Sequence, residues 1–393
     1  MALNAWLLGP ARCLQGPEVL EAFSRKLAEA GVPVWRTTLH LPRLHPQSLG
    51  LSYIWSADSG CAETRDFAHQ VRETDTYLQS PVAVVHETGE CVRCRLVGPE
   101  ADLSYPITRE LAEAGATDYV LMPMMFGAQS RALLGMATRT SDGFTESQVA
   151  LVQSVLPALS ATVEILMSRQ MTADLLTTYV GREASRRILD GQILLGKGMR
   201  LNAVILFCDM RDFSRHMETL PRPELGELMR DYFACVVESI EDTEGDILKF
   251  MGDGLLAIFP VGEGEEQELA CVRALMAAQK IFARLDAMNA ERREASRMTC
   301  EAGVALHVGE MFYGNIGARA RLDFTVMGPS VNRASRIERL CRTLGERILT
   351  SADFAAVCPV KLVSAGRHAL KGIEGEHEIF VPLLDIRAVG GDD

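Results

Sequence analysis

Phe207-Cys208-Asp209-Met210-Arg211-Asp212-Phe213-Ser214 sets an aspartate at the end of an apolar segment, 203–207, whose Val, Ile and Phe favour a strand. Lys249-Phe250-Met251-Gly252-Asp253-Gly254 repeats the arrangement further along: 246–251 and 255–259 read as strands around Gly252-Asp253-Gly254, the composition of a tight hairpin turn. Two carboxylates on rigid strand ends suit a pair of hard, oxygen-seeking cations, and such cations usually arrive with a nucleotide's phosphates. One Asp-Gly pair alone predicts only a turn. The rest of the chain has to support more.

Support comes from Asp323-Phe324-Thr325-Val326-Met327-Gly328-Pro329-Ser330-Val331-Asn332-Arg333-Ala334-Ser335-Arg336. Its opening reads as a short strand, and Pro329 after Gly328 suits the first turn of a helix. Asn332 and Arg336 then lie four apart on one helical face. An amide and a guanidinium aimed the same way can hold a ribose and a phosphoryl group. Taken together, the motifs resemble the class III nucleotidyl cyclases over roughly 201–384.

That resemblance implies roles residue by residue. Asp209 and Asp253 would hold two magnesium ions against a triphosphate, with Met210 grouped among the metal ligands and manganese able to substitute. Lys249 matches the lysine that donates to adenine, and Thr325 the second base-selecting residue. Asn332 matches the ribose-orienting residue and Arg336 the one that meets charge on the α-phosphate. Phe213 and Lys371 fall with the substrate-binding residues. The implied reaction is ATP to 3′,5′-cyclic AMP and pyrophosphate at a homodimer interface, which needs positioning and electrostatics rather than a Ser/His/Asp set. Two positions depart from the pattern: Asp212 stands where glycine is common, and Pro329-Ser330 replaces Asp-Thr. Guanylate cyclase and a non-catalytic nucleotide-binding module are the alternatives.

Composition sets the outer limits. At 393 residues, 48% hydrophobic and 23% charged, the chain is long enough for two domains with separate cores. A net charge of −12 argues against nucleic acid as a partner. No uninterrupted apolar run approaches the ~18 residues of a bilayer span, and no basic segment leads into an apolar stretch at the N-terminus, so a cytoplasmic protein without a membrane span is expected. The ten cysteines are scattered and read as reduced, buried small hydrophobes; Cys91-Val92-Arg93-Cys94 lacks the second pair a zinc site needs.

The cyclase-like half alternates strand and helix signals, with Leu225, Leu228, Met229, Tyr232, Phe233 and Val236 on one helical stripe. A helix follows at 269–288, then strand-like runs at 300–306 and 311–316. The order suggests an α/β (α+β) domain with a ferredoxin-like βαββαβ heart. In the first half, 18–30 reads as a helix, and 34–41, 119–126 and 132–138 as strands. Thr145-Glu146-Ser147-Gln148 reads as a capping box with Phe144 and Val149 as its staple. This strand–strand–helix close resembles the end of a GAF-type sensor domain, which implies a regulatory small-molecule or protein signal. His40 and His45 read as hydrogen-bonded or exposed rather than as ligands. Val152, Leu156, Leu159, Val163 and Leu166 form a heptad pattern, open to two readings: a parallel dimer seam or a packed helix of the first domain. Pro157 is expected to kink or break that helix. The domains expected are 1–165 (GAF-like), 166–200 (helical linker), 201–385 (catalytic) and 386–393 (flexible tail).

Overall fold

The computed structural model describes residues 2–45, 48–126, 130–261 and 267–383. The expected tail at 386–393 lies outside the described residues, as do 263–266 and 127–129, which the sequence reads as a solvated loop and a connection between strands. The chain divides into two compact units, Met1–Leu175 and Leu176–Asp393.

In the first unit the elements are α1 (Ala2–Leu8), α2 (Gly16–Glu29), β1 (Arg36–His45), β2 (Ser48–Ser56), β3 (Ala62–Phe67), α3 (Asp75–Leu78), α4 (Pro81–Thr88), β4 (Val92–Arg95), α5 (Pro106–Glu113), β5 (Asp118–Phe126), β6 (Ser130–Thr138) and α6 (Glu146–Val180), whose end reaches into the second unit. The sheet runs β3-β2-β1-β6-β5-β4, every neighbour antiparallel. Its two faces follow from strand alternation. Leu39, Trp55, Val120, Met122 and Leu134 pack against Leu20, Phe23 and Leu27 of α2 and against α6. On the other face, Tyr119, Leu121 and Leu133 meet Val85 of α4 and Leu111 of α5. The capping box forms: Thr145 N–H donates to Gln148 Oε1 at 2.9 Å, and Gln148 N–H to Thr145 Oγ1 at 3.3 Å. Phe144 and Val149 enter the same buried cluster.

Three expectations about α6 meet the structure here. Pro157 does not interrupt α6, which runs unbroken for 35 residues. The ring is exposed, and so is Gln153, whose carbonyl loses its partner and can turn to water. The heptad pattern at Val152–Leu166 does not face a partner: Val152, Leu159 and Val163 are buried in the unit's own core, with Leu156 and Leu166 packed against it. The packed-helix reading is therefore the right one. Finally, α6 is by length and composition apolar enough to cross a membrane, although 44% of its apolar window is buried within the protein. Scattered Ser, Thr and Gln break the apolar run in the sequence without lowering its average enough to exclude it.

Beyond α6 come α7 (Arg182–Leu189), β7 (Gly198–Met210), α8 (Phe213–Thr219), α9 (Arg222–Glu241), β8 (Asp246–Met251), β9 (Gly254–Pro260), α10 (Gln267–Glu294), β10 (Ala302–Ala318), β11 (Arg321–Met327), α11 (Pro329–Leu344), β12 (Ile348–Ser351), α12 (Ala352–Ala355), β13 (Leu362–Ala369) and β14 (Glu376–Pro382). The sheet order is β13-β14-β12-β10-β7-β9-β8, with β11 on β10. Its β10-β7-β9-β8 part is antiparallel throughout and has the 4-1-3-2 strand order of a ferredoxin-like βαββαβ unit. One face lies under α9 and α10, where Leu228, Tyr232, Val236 and Ile240 meet Val204, Leu206 and Cys208. Over the other face fold α7, α11 and the β10–β11 arm, which sets Phe324 and Val326 against Leu248, Leu256 and Ile258.

The runs at 300–306 and 311–316 are one strand rather than two. His307, Gly309 and Glu310 looked like a break, yet pairing with β7 continues from Ala302↔Met210 to Gly314↔Gly198. His307 is buried and hydrogen-bonded through Nδ1 to Ser351 Oγ at 2.8 Å, so its polarity is satisfied inside the sheet.

Candidate active site

The alternation of β7 decides where its last residues point. Cys208 and Met210 face the helical core under α9 and α10, so Asp209 between them turns to the opposite face. Met210 is buried there; its thioether is part of the core, and only its main chain remains at the strand end. The β8–β9 hairpin closes with Met251 paired to Gly254, which leaves Gly252 and Asp253 as a two-residue turn. Gly252 takes a positive φ of 71° there. Gly254 serves a different need: a Cβ on it would lie 2.8 Å from Asp209 Oδ1. Its missing side chain is what lets Asp209 close on the hairpin.

Asp209 and Asp253 therefore meet side chain to side chain. Burial, then the Asp253 charge and the hydrogen bond between the two carboxyls, push Asp209 up to about 7, against a weaker pull from Arg339. A third carboxyl stands close by. Glu338 of α11 is buried and raised to about 7, first by desolvation and then by the Asp209 charge. Its Oε1 lies 2.8 Å from where a Cβ on Gly303 would be, and Gly303 is the residue opposite Asp209. A pair of carboxylates that repel one another at a strand end is a donor set short of positive charge, and it fits hard divalent cations. Among the described residues no cluster of three or more His, Cys, Asp or Glu forms a ready-made metal cage.

The other candidate residues stand apart from that pair. Lys249, on β8, is ion-paired with Asp323 of β11. Thr325 follows two residues later on the same side of β11, and Phe324 between them faces the core. Asn332 is exposed and Arg336 half-buried on α11, and among the described residues neither side chain has a hydrogen bond or ion pair. Among the described residues, no hydrogen bond or ion pair joins Lys249, Thr325, Asn332 or Arg336 to Asp209 or Asp253 within one chain. Phe213 packs at the edge of the helical core at the start of α8. Lys371 is exposed in the β13–β14 turn.

Both departures from the resemblance have local explanations. Asp212 adopts the left-handed conformation at φ 55° and ψ 27°, where glycine is the easy choice and aspartate a tolerated one. Its carboxylate meets Arg342 at 2.7 Å rather than the aspartate pair. Pro329 occupies the first turn of α11, and Ser330 Oγ donates to the Glu310 carbonyl at 2.8 Å. Sequence reasoning missed Glu338 and Asp323. Glu338 belongs to the buried stripe Ala334, Ile337, Glu338, Cys341, and a carboxylate inside an apolar i, i+3, i+4, i+7 stripe was the readable signal.

Residues 199–381 match the family described as the adenylate and guanylate cyclase catalytic domain. An uncharacterized protein of Mycobacterium tuberculosis is 31% identical over 230 residues, 57% of this chain and 40% of that protein. Adenylate cyclase 1 of Rhizobium meliloti is 29% identical over 216 residues, 54% of this chain and 32% of the relative. The match thus spans less than half the length of either relative. A solved structure of a bacterial light-regulated adenylyl cyclase covers 67% of this chain and 86% of its own, with a TM-score of 0.50 at 19% identity, a likeness of fold alone. Residues 199–381 thus carry the match to a class III cyclase catalytic domain, and domains of that family work with divalent metal ions.

Proposed function

We propose that this chain is an adenylate cyclase whose active site is shared between two copies, converting ATP to 3′,5′-cyclic AMP and pyrophosphate. The observation that carries the reading is the Asp209–Asp253 pair, to which Lys249, Thr325, Asn332 and Arg336 of the same chain make no hydrogen bond or ion pair among the described residues. A head-to-tail homodimer would join the aspartates of one copy to the other four residues of its partner copy, giving two equivalent sites.

In this reading Lys249 and Thr325 hold the adenine edge, Asn332 orients the ribose and Arg336 meets the charge growing on the α-phosphate. Asp209 and Asp253, with the main chain at Met210, would hold two magnesium ions, or manganese in their place. The bound ions would lower the pKa of the ribose 3′-hydroxyl and clamp the leaving pyrophosphate. Guanine presents a protonated N1 that a lysine donor leaves unsatisfied, so Lys249 favours adenine over guanine. The first unit is read as a GAF-like sensor that governs turnover.

The test is direct: purified full-length chain with Mg-ATP or Mg-GTP, the products separated by chromatography. Cyclic AMP formation at the higher kcat/KM supports the reading. A preference for GTP, or no cyclic product from either nucleotide with magnesium or with manganese in its place, overturns it.

A further inference from the structure

The first unit contains a cavity of about 1050 Å³ between its sheet and α3, α4 and α5. Ligand pockets are usually of about this size or smaller, mostly apolar with a few placed polar groups. Its floor carries polar side chains from neighbouring strands. Thr38 and His40 on β1 lie opposite Ile54 and Ser52 on β2, so polar side chains occupy positions where a closed core would carry Leu or Val. His40 Nδ1 is hydrogen-bonded to Ser52 Oγ at 2.6 Å. Burial, then His86 and Arg36, lower His40 to about 4, so its ring is neutral at physiological pH. His40 Nε2 has no hydrogen-bond partner among the described residues. Across the cavity Tyr77 Oη is hydrogen-bonded to His86 Nδ1 at 2.9 Å.

Charge on the lining is unbalanced. Arg36 is committed to Glu110 at 3.1 Å. Arg65 on β3 and Arg72, in the short helical turn His69–Glu73, also line the cavity, and neither has an ion-pair partner among the described residues. Glu87 is the remaining acid of the lining, so two arginines are left against one carboxylate. Arg65 lies opposite Ser52, which lies opposite His40, and Ile54, Phe67 and Val71 add apolar surface to the same lining.

We propose that this cavity binds a small amphipathic anion, its charged head on Arg65 and Arg72, its apolar body along Phe67, Ile54 and Val71, and a polar atom reaching His40. A carboxylate and a phosphate monoester share the head-group chemistry. A guanidinium fork suits both, and the two probes below distinguish them. Only the coupling of this site to turnover rests on the cyclase reading; binding itself does not.

Calorimetry on the full-length chain tests it, with decanoate, decyl phosphate and decan-1-ol as probes. One equivalent of decanoate or decyl phosphate is expected to bind per chain, at least tenfold more tightly than decan-1-ol. The stronger of the two anions identifies the head group. Arg65→Gln with Arg72→Gln changes two exposed side chains and should cost tenfold or more for the anions while leaving decan-1-ol unchanged. Ala83→Trp, on the cavity wall, should abolish binding of all three, with circular dichroism verifying the fold. Equal binding of alcohol and anions, or anion binding indifferent to the arginine pair, would overturn the proposal. Binding is read without catalysis, so a chain that binds decanoate yet makes no cyclic nucleotide refutes the cyclase reading and leaves this one standing.

Discussion

Glu338 fills the place of the side chain that Gly303 lacks. Gly303 stands opposite Asp209 across the β7–β10 pairing, and the glutamate carboxyl rests against it from α11. One helix thus carries Asn332 and Arg336 and, two residues past Arg336, turns a buried acid toward the Asp209–Asp253 pair.

The first prediction tests that fit. Gly303→Ala places a methyl group 2.8 Å from Glu338 Oε1 and 2.9 Å from Cys341 Cβ. Overpacking of this kind costs about 1–3 kcal/mol, which lowers Tm by several degrees for a unit of this size. An unchanged melting temperature would show that α11 does not sit on the strand this closely.

A second prediction concerns pH. Asp209 sits at about 7 in the fold, against roughly 4 for an unfolded aspartate. Between those values the folded state holds a proton that the unfolded state has lost, so stability falls as pH rises through this window. Asp209→Asn removes the cost. With a chelator present, its melting temperature should exceed that of wild type by a few degrees at pH 8, and the gap should close toward pH 4. The same difference at both pH values would contradict the assignment.

Base choice supplies a third. Lys249→Glu alone would set a new carboxylate against Asp323, its present partner. The informative variant therefore combines Lys249→Glu, Asp323→Asn and Thr325→Cys. It should lose at least tenfold in kcat/KM for ATP and gain relative activity toward GTP, because buried polar groups left unpaired reject the wrong base. Full retention of ATP preference would remove Lys249 and Thr325 from base selection.

The fourth asks whether two chains build one site. Asp209→Ala and Arg336→Ala should each be nearly inactive. Mixed and allowed to exchange, about half the dimers become hybrids with one intact site, which restores about a quarter of wild-type activity. Both substitutions in one chain should restore nothing. Failure of proven hybrids to regain activity would mean that each site is built within a single chain.

Periodicity made much of this legible. Leu228, Tyr232, Val236 and Ile240 announce α9 by their spacing, and Asp253 sits in the hairpin turn that its glycine neighbours foretell. Pro157 misled because local chemistry speaks against a helix that tertiary packing nevertheless carries through. The heptad of α6 left two readings open for a different reason: a stripe of Val and Leu shows that a helix buries one face, without naming what covers it. His307 looked like a strand break because its partner, Ser351, lies on a strand that comes much later in the chain. Glu338 was missed for the same reason, since its meaning depends on Gly303 and Asp209 arriving from other strands.

The 17-residue strand β10 also sets an order of assembly. It pairs with β7, β11 and β12, so the sheet of the second unit cannot close until it has been made. During synthesis β7 can take up β8 and β9 first, bringing Asp209 beside Asp253. It must then keep its other edge unpaired through the whole of α10. Non-local pairing of this kind slows folding and leaves an edge open to wrong partners. The long wait for β10 makes the nascent chain most prone to aggregate at the stage when its two aspartates have met and Glu338 has yet to emerge.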